Sequence, residues 1–156
     1  MKKSFWGLLL ALALAAVPLC AFAQDMLQFK LPRDASLIED VRFPDGEIIR
    51  TWQLAGGASI QLWRYTGEAE SPELLIQVQW PDAVSLTALS LPELGSKSSA
   101  YRFVDEELMV SIVSVSDEEN SFIWQAIYPR RLGDEQIETL VAGMLRSMSL
   151  ADENDG

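Results

Sequence analysis

The chain has 156 residues, with 12 basic and 23 acidic side chains, a single cysteine and no histidine, so its formal net charge is −11. An acidic surface repels nucleic acid and anionic lipid headgroups, so neither is expected as a partner. The absence of histidine removes the most common general base and the most common zinc ligand, and a single cysteine cannot form a disulfide framework.

The first 23 residues have the layout of a secretory signal peptide. Lys2 and Lys3 precede a short apolar segment, and Ala21-Phe22-Ala23 supplies the small residues of a cleavage site. We expect cleavage between Ala23 and Gln24 and a periplasmic or secreted location in a bacterium. The apolar segment is shorter than the ~20 residues that a membrane span needs, so no membrane attachment is expected after cleavage.

A lipid-modified Cys20 is the alternative, although Pro18 and Leu19 match that kind of site poorly. Cleavage after Ala23 would remove the only cysteine, which leaves neither a thiol nucleophile nor a thiolate metal ligand. The remaining chain is the size of one domain. We therefore predict a single α+β domain over residues 24–150 and a short acidic tail without fixed structure over 151–156.

Short strand patterns begin directly after the predicted cleavage site. Leu27 to Leu31 alternates apolar and polar side chains, which predicts a half-buried strand. The segment Ser36 to Phe43 fits either a capped helical turn or an extended strand. Pro44-Asp45-Gly46 then predicts a turn, because proline presets φ and glycine accepts a positive φ.

A hairpin is predicted for Ile48 to Leu54 and Ser59 to Thr66, around Gly56-Gly57. A three-residue loop would align Trp52 with Leu62 and make one face apolar. The other face would mix aromatic and polar side chains, namely Thr51, Gln53, Gln61, Trp63 and Tyr65, together with Ile49.

The middle of the chain is less regular. Leu74 to Trp80 alternates apolar residues with glutamines, which predicts a strand ended by Pro81. Asp82 to Ala100 fits either a short helix or an extended path.

A second hairpin is predicted for Leu108 to Val115 and Ser121 to Tyr128. Pairing of Val115 with Ser121 would give one face that combines residues from both strands: Leu108, Val110 and Ile112 with Phe122, Trp124, Ala126 and Tyr128.

A C-terminal helix is predicted, with Asp134 as its N-cap. Its apolar side chains recur at helical spacing and form one stripe: Ile137, Leu140, Val141, Met144, Leu145 and Met148. The predicted fold is therefore α+β, a twisted antiparallel sheet of six to eight short strands with this amphipathic helix packed on one face. The second apolar face would be covered by sheet curvature, by residues 82–100, or by a partner.

Few residues offer chemistry. A Ser–Lys dyad at Lys97 would need a buried lysine, whereas its surroundings predict a solvated loop. Carboxylate pairs for glycoside cleavage fall mainly in turns. Calcium could use the oxygen ligands of Asp105-Glu106-Glu107, of 117–120 or of the tail, but none has the order of an EF-hand loop.

The mixed face around Trp63 and Tyr65 suits a sugar, a peptide or a partner protein, although packing under a second layer is the alternative. We therefore expect an exported acidic binding module without a cofactor, monomeric or weakly associated, that acts by non-covalent contact with another exported protein or a small ligand. The alternatives are a small-ligand- or calcium-binding periplasmic protein and, after that, a small hydrolase that uses neither histidine nor cysteine.

Overall fold

The computed structural model describes residues 27–68, 70–91, 94, 97–117 and 119–150. The predicted signal peptide and acidic tail lie outside the described residues. The elements in chain order are β1 (Leu27–Gln28), β2 (Ser36–Arg42), β3 (Ile48–Gln53), β4 (Ser59–Thr66), α1 (Pro72–Gln79), β5 (Val84–Ala88), β6 (Lys97–Asp105), β7 (Leu108–Ser116), β8 (Asn120–Pro129), α2 (Asp134–Arg146) and β9 (Ser149–Leu150). Short 3-10 turns occupy Ala55–Gly57 and Arg130–Leu132.

Seven of these strands form one antiparallel sheet in the order β2-β3-β4-β8-β7-β6-β5. Most neighbouring strands are joined by short turns, whereas the connection from β4 to β5 crosses three strands and contains α1. The strands β1 and β9 pair separately, with Leu27 opposite Leu150. The predicted α+β fold is confirmed, and the ambiguous segments after Ser36 and Asp82 both contain strands.

The C-terminal helix α2 covers one face of the sheet and closes the larger core. The predicted stripe is buried except for Leu140, which is 39% exposed, and its last member, Met148, is buried beyond the end of the helix. The buried members pack with sheet residues such as Ile60, Leu62, Val113 and Trp124.

The helix begins one residue earlier than expected. Gly133, with φ +93°, takes the N-cap position and Asp134 is already helical. The Asp134 carboxylate accepts hydrogen bonds of 3.1 and 2.7 Å from the Arg130 guanidinium. The predicted cap at Asp134 is therefore wrong, because the carboxylate binds Arg130 instead of the helix backbone.

The hairpin β7–β8 differs from its predicted register by one residue. Val115 lies opposite Phe122, and Ser116 lies opposite Ser121. Asp117 sets the turn, because its Oδ1 accepts hydrogen bonds from the backbone N–H groups of Glu119 and Asn120. A shift of one residue exchanges the faces. Val110 and Ile112 therefore lie on the face opposite to Phe122, Trp124, Ala126 and Tyr128, and the predicted combination was wrong.

The hairpin β3–β4 keeps its predicted faces despite a different loop. Trp52 lies opposite Ile60 instead of Leu62, because the loop contains five residues, 54–58, with a 3-10 turn in the middle. Asp34 stabilises this loop by accepting a 2.7 Å hydrogen bond from the N–H of Ala55. The alignment moves by two residues, so each side chain stays on its predicted side.

The strand predicted over Leu74 to Trp80 is instead the helix α1. Ser71 Oγ accepts a 3.3 Å hydrogen bond from the N–H of Leu74, and Pro72 occupies the first turn, where its missing N–H carries no penalty. Ile76 is buried against the sheet, whereas Val78 is 72% exposed. Helix α1 therefore supplies cover for one part of the second apolar face, over β6 and β7.

Candidate partner-binding face

Helix α1 covers only one part of the second sheet face. It packs on β6 and β7, where Ile76 joins a cluster with Phe103, Val110, Ile112 and Ile123. On β2, β3 and β4 the same face is partly accessible to solvent: Val41 and Gln53 are exposed, and Trp63 and Tyr65 are partly exposed, whereas Thr51 is buried. We call this surface the open face; it consists of Glu39, Val41, Ile49, Thr51, Gln53, Gln61, Trp63 and Tyr65.

A polar row crosses the open face perpendicular to the strands. Glu39, Thr51, Gln61 and Gln125 lie directly opposite one another on β2, β3, β4 and β8. Thr51 Oγ1 donates a 2.8 Å hydrogen bond to Glu39 Oε2. At the other end of the row, Gln125 Nε2 donates a 2.9 Å hydrogen bond to Gln79 Oε1 at the end of α1. The polar row is therefore held at both ends by side-chain hydrogen bonds.

An apolar row runs beside the polar row. It consists of Val41, Ile49, Trp63 and Ile123, which are again directly opposite one another on neighbouring strands. Ile123 is fully buried, while Val41 at the sheet edge is 36% exposed. The apolar row thus begins in the core beside α1 and emerges toward solvent at β2.

Tyr65 lies two residues beyond Trp63 along β4, on the same face and opposite Ser121. Burial raises the pKa of the Tyr65 hydroxyl, and the negative charge of Glu47 raises it further. This phenol therefore stays protonated and can donate a hydrogen bond next to the Glu47 carboxylate. Glu39 and Glu47 place negative charge on opposite sides of the apolar row.

Basic side chains on these strands lie on the other face. Arg42, Arg50 and Arg64 are paired with Ile48, Leu62 and Phe122, which belong to the core under α2. Arg50 forms a 3.4 Å ion pair with Asp40 there, and Arg64 donates to Asn120 Oδ1. Among the described residues of β2, β3, β4 and β8, no lysine or arginine lies on the open face. The open face is therefore acidic, although the strands that form it contain both acidic and basic residues.

The structure places all five sequence-predicted residues, Thr51, Gln53, Gln61, Trp63 and Tyr65, on this one face. Whether they bind a partner stays a prediction. Sequence reasoning missed Glu39 and Val41, because β2 could not be distinguished from a helical turn. It also missed the Gln125–Gln79 contact, since α1 was predicted as a strand. The sequence Ser71-Pro72-Glu73 was the available signal for that helix.

The other predicted sites have less support. Lys97 begins β6, so residues 97–99 form part of a strand and not the predicted loop, whereas the predicted solvation of Lys97 stays a prediction. Asp105 ends β6 and Asp117 is engaged in the β7–β8 turn. Within the ranges that the structure describes, no group of three or more acidic residues is close enough to hold a metal ion. In the same part of the chain, no helix combines the length and the apolar character needed to cross a membrane.

A cleft of about 310 Å³ lies on the opposite side of the sheet, beside the first half of α2. We call it the Tyr128 cleft; its walls include Pro32, Asp34, Leu54, Gly56, Tyr128 and Leu140. The Tyr128 hydroxyl is buried and has no hydrogen-bond partner in the described part of the chain. Burial, and secondly the charge of Asp34, raise the pKa of Tyr128 to about 12. This cleft therefore contains one protonated phenol and one carboxylate.

Function has to be inferred from these two surfaces. No protein family matches the sequence, and no curated protein is significantly similar to it.

Proposed function

We propose that this protein is an exported, non-enzymatic binding module whose open face holds a basic segment of another exported protein. The observation that supports this function most directly is the apolar row of Val41, Ile49 and Trp63, accessible to solvent and flanked by Glu39 and Glu47. A cationic side chain there would gain from the carboxylates and from the faces of the aromatic rings.

The dimensions of the open face suit a short extended segment. Neighbouring strands lie ~4.8 Å apart, so Val41 and Trp63 are separated by roughly 10 Å, about the length of three extended residues. Gln53 and Gln61 offer amide donors and acceptors to the backbone of such a segment. Because the formal net charge is −11, long-range attraction would also accelerate encounter with a basic partner.

Replacement of Gln61 by lysine tests this function. The probe is a short peptide of alternating arginine and leucine, and the control peptide carries glutamate in place of arginine. Gln61→Lys puts a positive charge in the middle of the polar row, so it should weaken binding of the arginine peptide by up to about fivefold, the size of one exposed like-charge contact. Isothermal titration calorimetry provides the affinities.

Gln136→Lys is the matched control, because it changes net charge equally but lies on α2, on the other side of the sheet. It should leave the affinity within about twofold of that of the unmodified protein. Equal weakening by both substitutions would show attraction by net charge alone and would contradict the assignment to the open face. Equal affinity for the glutamate peptide would contradict it as well.

Binding of a small ligand in the Tyr128 cleft is the second candidate. The supporting observation is the buried Tyr128 hydroxyl, which lacks a partner among the described residues and belongs to a side chain that lines the same cleft as Asp34. Native mass spectrometry of the exported protein should then detect a retained small molecule. Leu140→Trp would fill the cleft and should abolish that retention, while Leu140→Met should preserve it. If neither the unmodified protein nor Leu140→Met retains a small molecule, this candidate is eliminated.

A further inference from the structure

Strand β2 is an unusually accessible sheet edge. All seven of its residues, Ser36–Arg42, are exposed, and among the described strands only β3 is its neighbour in the sheet. Three of its large apolar side chains reach solvent, Leu37 at 53%, Ile38 at 60% and Val41 at 36%, and Phe43 follows directly at 41%. Natural sheets usually protect such an edge with charges, bulges or a covering segment, because its backbone is a template for another strand.

The opposite edge of the sheet shows such protection. Strand β5 has a register shift between Val84 and Thr87, and Ser85 within it has φ +59°. That irregularity interrupts the row of backbone groups available for pairing. In β2 the register shift lies near the start, between Leu37 and Glu39, so the stretch from Glu39 onward is regular.

The backbone phase of this regular stretch determines which groups point outward. The N–H of Phe43 donates a 2.9 Å hydrogen bond to Glu47 O, so Phe43 faces β3. Bonded residues alternate along an antiparallel strand. The backbone N–H and C=O groups of Glu39 and Val41 therefore also point toward β3, while those of Asp40 and Arg42 point to the outer edge.

We infer that β2 pairs antiparallel with β2 of a second copy of this chain, with Val41 on the two-fold axis. An antiparallel pair of identical edges has its axis perpendicular to the sheet, which keeps each face continuous. In this register Asp40 lies opposite the partner's Arg42, and the symmetry repeats the contact. The two symmetry-related Asp40–Arg42 pairs are hydrogen-bonded pairs of the ladder, because the backbone N–H and C=O groups of both residues point outward.

Charge selects this register over its neighbours. An axis through Asp40 would place two carboxylates opposite one another, and an axis through Glu39 would do the same. An axis through Arg42 would oppose two guanidinium groups. Like charges directly opposite on neighbouring strands are destabilising, and opposite charges are favourable. Val41 is the one residue of the run 39–42 that can meet its own copy without repulsion.

The pairing would also lengthen the open face. Val41 belongs to the apolar row, so the axis joins the rows of two copies end to end, through Val41 and the partner's Val41. This inference is independent of the proposed function, since it rests on the edge and not on the ligand. A contact of one short strand pair is small, so the dimer should be weak and should depend on protein concentration.

Cysteine cross-linking tests the register. All variants carry Cys20→Ser, so that an introduced thiol is the only one in the chain. Residues that are opposite without hydrogen bonds have Cα atoms ~4.5 Å apart, within the range of a disulfide. Under mild oxidation Val41→Cys should therefore form a covalent dimer quickly, whereas Val84→Cys, at the other exposed edge, should remain monomeric. Equal rates for both would overturn the inference.

Sedimentation velocity on the protein recovered after export tests the association itself. The unmodified protein should shift from monomer toward dimer as its concentration rises. Val41→Lys would bring two ammonium groups to the axis and should remain monomeric, while Val84→Lys should behave like the unmodified protein. Circular dichroism checks that both variants are folded. A protein that stays monomeric throughout, or a Val41→Lys variant that still dimerises, would contradict the pairing.

Discussion

At the scale of single residues, Tyr128 makes the clearest energetic prediction. Its hydroxyl is buried without a partner among the described residues, and burial together with Asp34 raises its pKa from 10.0 to about 12. The unfolded chain ionises this phenol first. The protonated Tyr128 therefore makes its full contribution to the free energy of unfolding below pH 10, and this contribution is lost as the pH rises from 10 to about 12.

Tyr128→Phe removes the hydroxyl, so it separates the effect of burying this group from the effect of its ionisation at high pH. At neutral pH the free energy of unfolding should change by less than ~1 kcal/mol, because the lost hydroxyl makes no hydrogen bond to the described residues. Above pH 10 the variant should lose stability less steeply than the unmodified protein. Urea unfolding across this pH range provides the measurement. Parallel losses of stability for the two proteins would contradict the assignment of a raised pKa to Tyr128.

At the scale of elements, α1 is predicted to stabilise the fold through one side only. Ile76 is 6% exposed and packs on Phe103 and Val110, whereas Val78 on the same helix is 72% exposed. Ile76→Ala should lower the free energy of unfolding by about 2–4 kcal/mol, and Val78→Ala should change it by less than ~0.5 kcal/mol. Denaturant unfolding of both variants checks this, and similar losses would indicate that α1 does not cover the sheet.

The same helix illustrates why local patterns mislead. Leu74, Ile76, Val78 and Trp80 alternate as in a strand, yet the side chains that pack inward are Leu75, Ile76 and Trp80. A short segment with five large apolar residues satisfies both periods. The decisive information was in the cap, Ser71-Pro72, and not in the apolar pattern.

The two hairpins show when faces can be predicted. In β3–β4 one face is apolar by prediction and the other mixes polar and aromatic residues, so Thr51, Gln61 and Trp63 were assigned to the correct side even though the loop length was wrong. In β7–β8 both faces are apolar, because one lies under α1 and the other under α2. The sequence then shows no difference in polarity between the two faces from which the register could be predicted. The register is determined by the hydrogen bonds of Asp117 instead.

At the scale of the whole molecule, the sheet separates charges between its two sides. The side under α2 carries Arg42, Arg50 and Arg64, two of which pair with Asp40, while the open face carries Glu39 and lies beside Glu47. This separation could not be predicted from the net charge of −11, because it depends on the register of β2, which the sequence left ambiguous. The fold class and the aromatic side of β3–β4 could be predicted, since they depend on alternation and on the stripe of α2 alone.

The proposed function depends on binding at the open face. Its most direct test is to map the backbone amide chemical shifts of the protein during titration with the arginine–leucine peptide, at low and at high salt. We predict shift changes centred on Ile49, Gln61, Trp63 and Tyr65 that weaken as salt screens Glu39 and Glu47. Changes centred on α2, or the absence of any change at low salt, would contradict the central claim.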